Sequence, residues 1–164
     1  MVLPRRLLFL LSLLLGLIGS SGLQAQSAGS PIKWMRGIYV AESPAPQPVP
    51  ETVAIDLAKA RAKALGGVAI RGNGGSMKPL YEDGVIMVIA PADYEELKRG
   101  QTVVYQNQAG RTVAHVLIAK CKTGWRVAGL NNRTHDGQGV NAQNLRGVVV
   151  DAFAPMKTTT FASR

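Results

Sequence analysis

The spacing of apolar residues changes character near residue 68. Before that point, residues 51–65 place Val53, Leu57, Ala60 and Ala64 at helical intervals, which predicts a helix with that face turned inward. Its acids lie early and its bases late, matching the helix dipole, and Gly66-Gly67 ends it. Beyond it the pattern is β. Residues 68–71 lead into a polar loop, and residues 85–90 form a continuous apolar run. Three further strands follow at 101–106, 111–120 and 125–129, and a last one at 147–153. Turn residues separate them: Lys98-Arg99-Gly100, Ala109-Gly110 and Lys122-Thr123-Gly124. Short strands joined by hairpin turns predict a mainly β, antiparallel, barrel-like fold with one N-terminal helix. No internal repeat interrupts the pattern.

The first 50 residues read differently. Arg5 and Arg6 precede an almost wholly apolar run over residues 7–18, and Leu23-Gln24-Ala25 offers a cleavage site after Ala25. The run is short for a membrane span, which needs about 20 apolar residues. Residues 1–25 are therefore expected to be a cleaved signal peptide, with an uncleaved N-terminal anchor as the alternative. Either way the paired arginines stay on the cytoplasmic side. The domain is expected to be exported, in the periplasm or at the outer face of the inner membrane. Residues 26–50, with Pro44, Pro46, Pro48 and Pro50, read as an extended polyproline-like linker and plain spacer. The organisation expected is leader 1–25, linker 26–50, helix 51–67, β domain 68–154 and tail 155–164.

Composition narrows the chemistry. The chain has 164 residues, 46% of them hydrophobic, with 19 Lys and Arg against 10 Asp and Glu. Loss of Arg5 and Arg6 with a cleaved leader would leave a net charge of +7. The charges are scattered, without a block of like sign. Together with export and the lack of a helix-turn-helix segment, this argues against a nucleic-acid partner. It suits association with an anionic membrane surface. Cys121 is the only cysteine, so no intrachain disulfide forms, and it reads as a buried or half-buried strand thiol. The two histidines, His115 and His135, lack the close helical spacing of a metal pair. No metal and no cofactor is expected.

The candidate chemistry centres on Gly74-Gly75-Ser76-Met77-Lys78-Pro79-Leu80, followed by Gly84. Glycines bare the backbone beside one serine, and Pro79 restricts the chain leaving it. An exposed hydroxyl beside free backbone N–H groups meets two needs of acyl transfer, a nucleophile and oxyanion donors. A Gly-rich surface turn in which Ser76 caps a backbone group explains the same residues without chemistry. Met77 and Leu80 read as core, or as the lining of a substrate groove. His115 lies within the strand segment 111–118, on one face with Val113 and Leu117, where a core histidine is the ordinary outcome. Asp136 sits in the polar loop Gly129-Leu130-Asn131-Asn132-Arg133-Thr134-His135-Asp136.

Together these segments resemble the superfamily of type I signal peptidases and LexA-like self-cleaving proteases. Ser76-Met77-x-Pro79 with Gly84 is similar to its Ser-Met-x-Pro box. The histidine strand and the Asn131-Asn132…Asp136 loop resemble the Ser-His subclass, not the subclass with a lysine base. The similarity spans roughly residues 68 to 154. It implies a LexA/signal peptidase-like β fold and a serine endopeptidase acting on a protein or peptide substrate. It implies Ser76 as nucleophile, His115 as general base and Asp136 as its orienting acid, with backbone oxyanion donors among Ser76, Gly75 and Gly74. The sequence departs from the family at Val85 and Leu130, where acids are usual, at Val116, where arginine is common after the histidine, and at Gly74, where a serine often stands. The alternative these departures leave is an inactive envelope β module binding a peptide or protein partner. A DNA-binding regulator ranks last.

Overall fold

The computed structural model describes residues 37–157 and the two-residue strand Trp34–Met35. The expected leader, and residues 158–164 of the expected tail, lie outside the described residues. In chain order the elements are β1 (Trp34–Met35), β2 (Ile38–Tyr39), β3 (Gln47–Pro50), α1 (Glu51–Ala64), β4 (Val68–Arg71), β5 (Ile86–Ala90), a 3-10 turn (Tyr94–Glu96), β6 (Thr102–Gln106), β7 (Thr112–Cys121), β8 (Gly124–Ala128) and β9 (Leu145–Met156). The described residues are mainly β with one α-helix, as the pattern predicts. Among the described residues no helix is long and apolar enough to cross a membrane.

Seven strands form one sheet in the order β4-β5-β9-β6-β7-β8, with β3 added alongside β9. Neighbours on the main path run antiparallel. The sheet stays open, not closed as a barrel, because its end strands β4 and β8 do not pair with each other. The β8 edge is partly covered instead: Trp125 and Val140 exchange backbone hydrogen bonds at 2.7 and 2.8 Å, which limits the exposed strand edge. β9 is the hub. Its first residues pair with β6, its middle with β5 and its end with β3.

The last four residues of the segment expected to be a spacer belong to this sheet. β3 pairs in parallel with β9, Gln47 opposite Phe153 and Pro50 opposite Met156. Just upstream, the Ser43 hydroxyl donates to the Gly100 carbonyl at 2.7 Å, and the Tyr81 hydroxyl donates to the Pro44 carbonyl at 2.8 Å. β9 likewise runs through Met156, past the expected domain end at residue 154.

The helix packs by a different face from the one its apolar residues suggest. Ala54, Ala58 and Ala62 are buried against Ile86, Val88 and Phe153, whereas Val53 and Leu57 are 42% and 44% exposed. An alanine stripe lets the helix axis approach the sheet closely, which the bulkier Val53 and Leu57 would prevent if that face turned inward. The exit from the helix is equally tight. Gly66 has φ +63°, and a Cβ on Gly67 would stand 2.0 Å from the Ile89 carbonyl oxygen, so the pair both stops the helix and lets β4 begin beside β5. Two other apolar groups complete the interior. One lies under the serine loop, around Met77, Leu80, Val85, Met87 and Leu130; the other lies between β6, β7 and β8, around Val103, Tyr105, Leu117, Trp125 and Val127. Cys121 is exposed, because it ends β7 where the hairpin turns into β8.

Candidate active site

Ser76 rides on a loop closed at its base by the backbone. Gly72 N–H donates to the Val85 carbonyl at 2.8 Å, and Gly84 N–H donates to the Gly72 carbonyl at 3.0 Å. Met77, Leu80 and Tyr81 are buried and anchor the loop in the core below; of the two readings of Met77 and Leu80, Leu80 takes the core one and Met77 meets both. The same Met77 also borders the cavity beside Ser76. Asn131 N–H donates to the Ser76 carbonyl at 2.7 Å, tying the serine loop to the loop that follows β8.

His115 is held by sheet register. It sits in β7 opposite Val103 of β6 and is 6% exposed. Its ring nitrogen Nδ1 lies 2.6 Å from Asp136 Oδ2. Asp136 is brought there by its own backbone, which donates to the Val127 carbonyl of β8 at 2.9 Å. Burial works against the Asp136 charge, but the hydrogen bonds from His115 and Tyr105, with the charges of His115 and His135, outweigh it and hold the carboxyl below its ordinary value. His135 is exposed, and its ring nitrogen Nδ1 lies 2.9 Å from the Asp136 carbonyl oxygen.

Ser76 and His115 line one cavity of about 560 Å³, whose walls include Ile70, Met77, Val85, Met87 and Val113. The same closeness is visible at Gly129. A Cβ placed there would stand 2.7 Å from the Ser76 carbonyl oxygen and 2.9 Å from His115 Nε2. Among the described residues no hydrogen bond joins the Ser76 hydroxyl to the His115 ring. The three residues expected to act together thus divide into a bonded His115–Asp136 pair and a serine across the same cavity.

The expected oxyanion donors are not equivalent. Gly74 N–H already donates to Asp83 Oδ1 at 2.9 Å, which removes it from the set. Ser76 and Gly75 remain. Val85 and Leu130, at 3% and 0% exposure, pack in the core under the serine loop, so a carboxylate at either position would be buried among apolar groups. Lysine as base finds no support in the geometry. Lys78 Nζ pairs with Glu82 at 2.8 Å and Lys120 Nζ with Glu95 at 2.8 Å, and the hydrogen bond to the acid raises each ammonium above its ordinary value. Neither is poised to lose a proton. Among the described residues no three His, Cys, Asp or Glu side chains gather as a metal site.

Tyr105 is the site residue that the sequence pattern hides. Its hydroxyl donates to Asp136 Oδ2, the oxygen that also meets His115 Nδ1. In sequence it is an aromatic within an apolar strand, indistinguishable from core. No family model matches the chain, and a search of curated proteins also returned no match.

Proposed function

We propose that this chain is a serine endopeptidase. The observation that carries the reading is the single cavity bordered by Ser76 and by a buried histidine whose far nitrogen is held 2.6 Å from a carboxylate. In this reading Ser76 Oγ attacks the carbonyl carbon of a peptide bond, and His115 Nε2 takes the hydroxyl proton. Asp136 fixes the tautomer with the proton on Nδ1 and stabilises the imidazolium that forms. The Ser76 and Gly75 amides face the developing oxyanion. His115 then passes the proton to the leaving amine. A water molecule, deprotonated by the same ring, releases the acyl group from Ser76. Apolar walls at Ile70, Met77 and Met87 suit an apolar substrate side chain. The expected export places this chemistry in the envelope, with proteins or peptides near an anionic membrane surface as substrates.

Two observations favour a second reading, a peptide-binding module without activity: the serine hydroxyl and the imidazole are not hydrogen-bonded to each other, and the Gly74 amide is taken by Asp83. Labelling with a fluorophosphonate, followed by mass spectrometry, separates the two. An active serine gives a covalent adduct on Ser76 in the wild type and none in Ser76→Ala or His115→Ala. Incubation with a peptide library then reads cleavage directly. A wild type that neither labels nor cleaves, over a pH range in which histidine is neutral, would sink the peptidase reading.

A further inference from the structure

Tyr105 belongs to a constellation that neither the resemblance nor the proposed mechanism requires. In the β6–β7 ladder Val103 stands opposite His115 and Tyr105 opposite Val113. Tyr105 is therefore the diagonal neighbour of His115 on one sheet face, within reach of an aromatic side chain. Asp136 arrives above both, pinned by its backbone to Val127 of β8. Tyr105 is 2% exposed and packs among Val103, Leu117 and Val127. A phenylalanine would fill that space without bringing a polar atom into it. The hydroxyl is a cost in such a place unless it is bonded, and its bond goes to Asp136 Oδ2.

We infer that Tyr105 is a positioning residue: its hydroxyl fixes the Asp136 carboxylate against the His115 ring. The inference rests on the peptidase reading for its catalytic purpose. Two donors on one oxygen, from strands β6 and β7, define the carboxylate plane, which a single histidine contact leaves free to rotate. The donor is permanent. Burial, then the adjacent carboxylate, push the ionisation of Tyr105 far above its ordinary range, so it donates at every pH at which histidine works as a base. The titratable groups facing Asp136 are Tyr105 from β6, His115 from β7 and His135 from its own loop.

The test has two independent readouts. Carbon-13 NMR of the aspartate carboxyls, assigned with Asp136→Asn, follows the titration of Asp136 without any need for activity. In Tyr105→Phe the Asp136 carboxyl is expected to titrate at higher pH than in the wild type, because one hydrogen bond to its charged form is gone. The rate of fluorophosphonate labelling at Ser76 is expected to fall about tenfold, the scale of one charge-assisted hydrogen bond. In an Asp136→Asn background the same substitution should add almost nothing, since the tyrosine acts through the carboxylate. A purely structural hydroxyl would give additive losses and an unmoved Asp136 titration, and either result overturns the inference. A wild type that never labels, beside a titration that does move, sinks the peptidase reading and leaves the tyrosine without a catalytic purpose.

Discussion

Gly129→Ala probes the tight packing between the serine loop and His115 with a single methyl group. Gly129 lies just after β8, and its backbone lies outside the left-handed region, so alanine adopts the same conformation without strain. The effect is then steric alone. The new Cβ would meet the Ser76 carbonyl oxygen at 2.7 Å, Asn132 Nδ2 at 2.9 Å and His115 Nε2 at 2.9 Å. Ordinary contact begins near 3.4 Å, so each neighbour must retreat by about 0.5–0.7 Å. Asn132 is exposed and yields cheaply. The other two do not. The Ser76 carbonyl is backbone and is held by Asn131 N–H at 2.7 Å, and the imidazole is held at its other nitrogen by Asp136 at 2.6 Å.

Overpacking of this kind costs about 1–3 kcal/mol, read as a lower urea midpoint and a fall of several degrees in Tm. Its functional effect should be larger. The methyl crowds both the serine loop and the His115 ring, and catalytic geometry tolerates about 0.5 Å. A loss of about 10- to 100-fold in Ser76 labelling or peptide cleavage is expected. Gly137→Ala is the control: it sits in the same loop, its backbone is also outside the left-handed region, and nothing lies within 4 Å of the added Cβ. It should match the wild type in both assays. A Gly129→Ala protein with unchanged stability and unchanged labelling would mean that the two sides of the cavity are not as close as described.

Asp136→Ala should fold and yet lose about 10²–10⁴ in kcat for peptide cleavage, by analogy with triad acids, whereas His135→Ala, whose exposed ring meets a backbone carbonyl, should stay within twofold. Because the Asp136 carboxyl is held below its ordinary value, its stabilising contribution is fully present above about pH 4, the unfolded value, and is lost as pH falls through the folded value; urea unfolding from pH 5 to pH 2 should therefore flatten in Asp136→Asn, and identical slopes would refute the assignment. Lys78→Met and Lys120→Met should keep Ser76 labelling within about twofold, and a collapse in either would return a lysine to the mechanism. Ala58→Leu should destabilise by about 1–3 kcal/mol through overpacking against Ile86, Val88 and Phe153, whereas Leu57→Ser, on the exposed side of α1, should stay within about 0.5 kcal/mol in urea denaturation.

The fold was legible where local pattern and tertiary contact agree. β5 is an apolar run and is buried almost throughout. The hairpins at Gly110 and Gly124 carry residues suited to positive φ, which both adopt. β3 was not legible, because Pro48 and Pro50 read equally well as polyproline and as sheet margin; only β9, about a hundred residues on, decides between them. The helix face misled for a related reason. By hydrophobicity alone Val53 and Leu57 outrank Ala54 and Ala58. The sheet beneath α1 already carries Ile86, Val88 and Phe153, so the space left over admits alanine. A pattern within one element reports its own amphipathicity, and says nothing of how bulky the opposing surface is.

The same division runs through the site. Ser76 stands out by its glycine turn, and Asp136 by its place in a polar loop at a suitable distance from a histidine strand. Each has a signature in the residues beside it. Tyr105 has none: its neighbours Val103 and Val104 make it look like a core aromatic. What sets it apart is a partner 31 positions away, on a loop whose path depends on the bond between Asp136 N–H and the Val127 carbonyl. The Gly74 amide is the converse case. Its sequence advertises a free donor, and Asp83, nine residues on, takes that donor away. Donor supply at such a turn is set by which side chains fold back upon it, so under the proposed function only the amides of Ser76 and Gly75, and not the count of glycines, are left to serve an oxyanion.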